Sequence, residues 1–121
     1  MGDVLQPSSL FIGNLKVNLE KELGFAFYFK HPNPEKMEPL GVIGNPNANN
    51  SRTAKNGRLI EDVSLQVDIY LPKQYNILQV NNIRDQAVRI IGRRDVTTSV
   101  SLDNSINREV WRILIRISQI I

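Results

Sequence analysis

The sequence predicts an α+β domain: a single mixed, mostly antiparallel sheet of about five strands with two helices packed on one face. Three observations carry this. Apolar residues recur every fourth position from Phe11 to Leu23, at Phe11, Leu15, Leu19 and Leu23, which is one stripe on a helix. Strict alternation runs from Val63 to Leu71, and Trp111, Ile113, Ile115 and Ile117 take one face of a second period-2 stretch, the signature of strands with one face on a core. Between these two strands lies a second apolar stripe of helical period, Val80, Ile83, Ala87, Ile90 and Ile91. Helices and strands in the order α-β-β-β-α-β-β are most simply packed as two layers.

In chain order, residues 1–7 read as a loose arm. Ser8 or Ser9 is placed to cap the first helix, because its hydroxyl can accept from the first backbone N–H groups. Gly24 is a natural stop, since it takes the left-handed conformation of a helix C-terminus. Phe25-Ala26-Phe27-Tyr28-Phe29 is short, aromatic and continuous, which suits a strand covered on both faces. Lys30 to Pro39 carries three prolines and reads as a loop. Residues 40–44, LGVIG, form the next short strand.

Residues 45–58, NPNANNSRTAKNGR, cannot bury enough apolar surface to offset the entropy of ordering them. Two readings stand side by side: a solvated hairpin tip, or a loop that orders on a partner through Arg52, Lys55 and Arg58. Leu59 to Leu71 is the long strand, ended by Pro72. Gln74 to Ile91 is the second helix, with Gly92 as its cap. Val96, Val100 and Leu102 alternate with Thr97, Ser99 and Ser101 in another strand. Residues 103–107, DNSIN, are turn chemistry. Val110 to Ile121 is the last strand, with Trp111, Ile113, Ile115 and Ile117 toward the core and Arg112, Leu114, Arg116 and Ser118 on the opposite face. The two long strands are expected at the centre of the sheet. Their non-core faces present Asp68 and Tyr70, and Arg112 and Arg116, a half-apolar surface suited to a subunit interface.

The whole chain, residues 1–121, is the size of one domain, and 41% hydrophobic with 22% charged residues is ordinary for a globular fold. The net charge of +3 is too small to imply nucleic-acid binding by itself. Without cysteine there is neither a disulfide framework nor a thiolate metal site. No apolar run approaches the ~18 residues of a membrane span. The start lacks the basic region of a signal peptide, so synthesis and folding in a cytoplasm are expected.

No catalytic constellation is evident. His31, the sole histidine, sits among prolines and reads as a surface-loop residue rather than a base. Asp62 and Asp68 share a strand face but lie ~20 Å apart by strand rise, too far to share a metal; neither Asp95 nor Asp103 is evidently joined to them, so no metal and no cofactor are expected. Gly41-Val42-Ile43-Gly44 precedes a Pro/Asn loop instead of a helix, which excludes a phosphate-binding turn. Basic residues Arg52, Lys55, Arg58, Arg93, Arg94, Arg108, Arg112 and Arg116 invite a nucleic-acid reading, but the aromatics that would stack on bases cluster in 25–29, where they look buried.

Residues 39–72, PLGVIGNPNANNSRTAKNGRLIEDVSLQVDIYLP, resemble the middle of small structural proteins of long-tailed bacterial viruses, especially those infecting Gram-positive hosts. The resemblance centres on Leu65-Gln66-Val67-Asp68-Ile69-Tyr70, and the element order resembles the α+β fold of tail terminator (tail completion) proteins. The resemblance implies a non-enzymatic virion protein at the top of the tail. Such proteins form a ring, expected as a hexamer, that caps the tail tube, stops its growth and offers a surface to the head connector. Double-stranded DNA passes through the ring without sequence-specific binding. The implied partners are further copies of the chain, the tail tube protein and connector or adaptor proteins, with no membrane. A closed ring needs two different complementary patches per subunit, and Asp68 and Tyr70 facing Arg112 and Arg116 of a neighbour would supply them, with Arg52, Lys55 and Arg58 reaching a further contact. Two alternatives remain: a head completion or adaptor protein between portal and tail, and a small cytoplasmic nucleic-acid-binding module.

Overall fold

The structure, a computed structural model, describes residues 7–30, 32, 36–44, 65–92, 96–104 and 108–117. Expectations for the arm before Pro7, His31, residues 45–64, Arg93, Arg94, Asp95 and the chain after Ile117 lie outside the described residues. The elements follow the expected order: α1 (Pro7–Leu23), β1 (Phe27–Tyr28), β2 (Leu40–Gly44), β3 (Leu65–Pro72), α2 (Ile77–Ile91), β4 (Val96–Asp103) and β5 (Val110–Ile117). The five strands form one sheet in the spatial order β1-β2-β3-β5-β4. β1 and β2 run parallel, and the other three pairs are antiparallel. The two long strands are interior, as their alternation predicts.

Both helices pack on the face carrying the odd-numbered residues of β3 and β5. Leu15 and Leu19 of α1, and Val80, Ala87 and Ile91 of α2, join Leu65, Val67, Ile69, Leu71, Ile113, Ile115 and Ile117 in one buried cluster. Each such aliphatic side chain, fully removed from water, contributes about 1.5–3 kcal/mol. This layer therefore outweighs any single polar contact in the molecule. The expected stripes are the ones used: Phe11, Ile12 and Leu23 flank the core on α1, as Ile83 and Ile90 do on α2.

Three boundaries differ from the sequence reading. The first helix opens at Pro7 and takes in Ser8 and Ser9, so neither serine is its cap; proline lacks the N–H that a first helical residue would leave unbonded. The second helix opens three residues later than expected, at Ile77. Asn76 caps it, accepting from the Gln79 N–H, and the Gln79 side chain accepts from the Asn76 N–H in return. Finally, the aromatic run is a strand only at Phe27 and Tyr28. Phe25 stacks on Phe27, with ring centroids 5.4 Å apart, while Phe29 is exposed with the Lys16 ammonium 5.9 Å from its ring centre. The expectation that both faces of 25–29 are covered holds only at its middle.

A glycine and a carboxylate fix that short strand. Phe27 pairs with Gly41, whose N–H donates to the Ala26 carbonyl at 2.9 Å. The Phe27 ring occupies the space where a side chain at 41 would stand. Its own N–H donates to Glu20 Oε2 at 2.9 Å, tying β1 to the last turn of α1.

Candidate functional site

The face of the sheet away from the helices carries four of the predicted site residues, Asp68, Tyr70, Arg112 and Arg116. Alternation puts Gln66, Asp68 and Tyr70 of β3 there, beside Val110, Arg112, Leu114 and Arg116 of β5, and Thr97, Ser99, Ser101 and Asp103 of β4. Among the described residues no helix lies on this face. At one end Leu40, Tyr70 and Val110 form a second small buried cluster, with Tyr28 and Val42 against it.

At the centre of the face is an ion network across three strands. Arg112 stands between two acids, each diagonally placed: Asp68 is opposite Leu114 on one side and Asp103 is opposite Val110 on the other. Such diagonal positions are within reach of long side chains. Arg112 Nε donates to Asp68 Oδ1 at 3.0 Å, Nη2 lies 3.0 Å from the same oxygen, and Nη1 lies 3.5 Å from Asp103 Oδ2. Gln66 Nε2 donates to the other Asp68 oxygen, Oδ2, at 3.0 Å. The carboxylates are 12% and 14% exposed and the guanidinium 31%, so the network is mostly shielded from water.

Electrostatics follow from that shielding. Burial acts to lower the Arg112 pKa, but the combined influence of Asp68, Tyr70 and Asp103 prevails and holds it above its ordinary value. Arg112 is therefore a permanent cation. Burial pushes the Tyr70 hydroxyl up; Asp68 and Asp103 add to this while Arg112 opposes it. The geometry of the network locks the register of β3, β5 and β4.

The predicted residues thus divide. Asp68, Tyr70, Arg112 and Arg116 share the expected face, but Asp68 and Arg112 bind each other within one chain. They are not left to complement a neighbour, and Tyr70, only 5% exposed, is already buried. Arg116 is exposed, opposite Gln66 and Thr97, and forms no ion pair among the described residues. Arg52, Lys55 and Arg58 lie outside the described residues. Asp103 is the member that the sequence reading missed. Its alternation with Ser101 and Ser99 places it on this face, but the turn-like string after it draws it into the loop.

A second polar cluster lies at the end of the sheet. Arg108 binds Glu38 through Nε and Nη2, the latter at 2.6 Å, and Nη2 also donates to the Lys36 carbonyl. The Glu38 side chain is 3% exposed. A cleft of about 280 Å³ beside it is lined by Met37, Lys73, Gln74 and Glu109 among others. Lys73 and Glu109 approach to 3.8 Å, so the cleft's charges are already matched. No group of three or more potential metal-ligating side chains occurs among the described residues.

No known protein-family model matches the chain, and no curated protein matches it. No helix among the described residues is long and apolar enough to cross a membrane.

Proposed function

We propose that the protein is a structural virion component, a tail terminator that caps the tail tube as a ring and offers a surface for head–tail joining. The observation that carries this reading is the face of the sheet that no described helix covers. It is strand-built and stiffened by the Asp68–Arg112–Asp103 network, and its exposed part bears Arg116, Thr97, Ser99 and Ser101 with half-buried Leu114. A stiff surface of mixed polarity, with its central charges paired within the chain, suits a contact with another protein better than binding of a small charged ligand. The resemblance of residues 39–72 to tail-joining proteins supplies the kind of partner.

The internal pairing alters the assembly mechanism. Arg112 and Asp68 stiffen the face, while exposed Arg116 is left for a partner, the role the sequence reading also gives to Arg52, Lys55 and Arg58. The same pairing weighs against the nucleic-acid module. Of the basic residues proposed for a groove, Arg108, Arg112 and Arg116 are described, and the first two carry carboxylates. Electron microscopy of virus particles lacking this protein tests the proposal. Tails of uncontrolled length that fail to join heads are expected. Tails of normal length beside unjoined heads would overturn it in favour of an adaptor at the portal.

A further inference from the structure

The outer edge of β4 is the second feature of the molecule that asks for a partner. β4 is last in the sheet and eight residues long, and no other described strand pairs with its far side. Thr97, Thr98, Ser99, Ser101 and Leu102 are exposed, Leu102 at 51%. Proteins normally protect such an edge with lysine, proline, a bulge or brevity, because its unpaired N–H and C=O groups template another strand. The opposite edge, β1, is protected by being two residues long. β4, VTTSVSLD, contains no lysine, arginine, proline or glycine.

We infer that β4 pairs with β4 of a second copy of this chain, antiparallel, about a twofold axis through Val100. Three arguments select this register, and the self-complementarity of VTTSVSLD in it selects the second copy. A strand pairing with its own copy must place residue i opposite residue j with a constant sum. To keep both helix layers on one side of a continuous sheet that sum must be even, since an odd sum sets Thr97 against Leu102 and turns one copy over. Centring on Val100 uses all the described residues from Val96 to Asn104: Thr98 covers Leu102 of the second copy, Ser99 meets Ser101, and Thr97 meets Asp103. No like charges oppose, and Asp103 keeps Arg112 beside it. The row Val96, Thr98, Val100 and Leu102 then continues the core-side face of the sheet into its twofold mate. Edge pairing of one strand falls short of the ~1,200 Å² of a stable interface, so the dimer is weak and dependent on concentration.

A twofold contact closes at two copies and does not itself generate a ring. The pairing therefore describes the free subunit and stands apart from the terminator reading. The absence of native cysteine makes it testable by single-cysteine variants. In this register residue 100 faces itself, with Cα atoms about 4.5–5.5 Å apart, inside the range a disulfide spans. Residue 101 is diagonal to its twin at about 7–8 Å, outside it. Under mild oxidation Val100→Cys is expected to form a covalent dimer at least about tenfold faster than Ser101→Cys or Thr97→Cys. Sedimentation of the unmodified chain should show dimer growing with concentration. Thr98→Lys, which sets an ammonium against Leu102, should remain monomeric with an unchanged circular dichroism spectrum. A chain that stays monomeric throughout, or cross-linking that is fastest at 97 or 101, overturns the inference. So does a ring that forms equally well with Thr98→Lys while Val100→Cys gives no disulfide-linked dimer, an outcome that leaves the terminator reading intact.

Discussion

Asp68 and Arg112 bind each other from neighbouring strands, with both Nε and Nη2 of the arginine 3.0 Å from one carboxylate oxygen. The pair sits on the face that no described helix covers, so its worth is set by partial shielding. Removing one partner of a shielded pair strands the other, at a cost of ~1–3 kcal/mol. Asp68→Ala should fall in the lower part of that range, because Asp103 remains for Arg112. Asp68→Ala/Asp103→Ala should cost more than the sum of the singles, because the guanidinium then has neither acid. Urea denaturation of the two single variants and the double closes the cycle. Simple additivity would show that Arg112 does not depend on the acids jointly.

Gly41 is required by Phe27, not by its own backbone. The ring of Phe27, 1% exposed, fills the position of the missing side chain. Gly41→Ala must push that ring out of the core or part β1 from β2, an overpacking cost of ~1–3 kcal/mol. Phe27→Leu should lose stability alone yet relieve part of the Gly41→Ala cost, giving a double variant more stable than additivity predicts. Thermal unfolding of the four proteins measures this. Additive losses would place the strain elsewhere.

The sequence made the long-range architecture legible because each core-facing row is long and regular. Leu15 with Leu19, Val67 with Ile69, and Ile113 with Ile115 and Ile117 all keep one period and end on one buried cluster. Signals read from a few residues were weaker. Ser8 and Ser9 have capping chemistry, but Pro7 precedes them and the helix runs through both. The Asn76–Gln79 capping box was present in the letters and lay hidden under an overextended helical stripe. The candidate face was legible as a face, since parity alone fixes it. Its pairing was not, because the register that brings Asp103 beside Arg112 depends on how β4 aligns with β5, and alternation within a single strand carries no such information.

The two ends of α2 should differ in how they fail. Asn76→Ala removes both the side-chain acceptor for the Gln79 N–H and its geometry, at ~1 kcal/mol. Gly92 has φ of 67° and donates to the Val88 carbonyl at 3.0 Å. Gly92→Ala forces a side chain into the left-handed region at ~1–2 kcal/mol. Gly92→Asn should cost less than Gly92→Ala, since asparagine tolerates that region better. Chemical denaturation ranks them, and equal costs for alanine and asparagine at 92 would mean the cap conformation is not what matters.

Glu20 couples the fold to acid. Its carboxylate accepts from the Phe27 N–H at 2.9 Å and from Lys16 Nζ at 3.0 Å. The backbone hydrogen bond from Phe27, then the one from Lys16, lowers its pKa below the ordinary 4.5. A carboxylate with a depressed folded-state pKa binds its proton more readily when the chain is unfolded. Its stabilising contribution is therefore complete above about pH 4.5 and is lost as the pH falls through the lower folded value. Glu20→Gln keeps an oxygen for the Phe27 N–H but removes the charge. At neutral pH it should melt below the unsubstituted protein. The two melting temperatures should converge as the pH falls below about 4. A constant gap from pH 7 to pH 3 would show that the Glu20 charge contributes nothing and that only its shape holds β1 to α1.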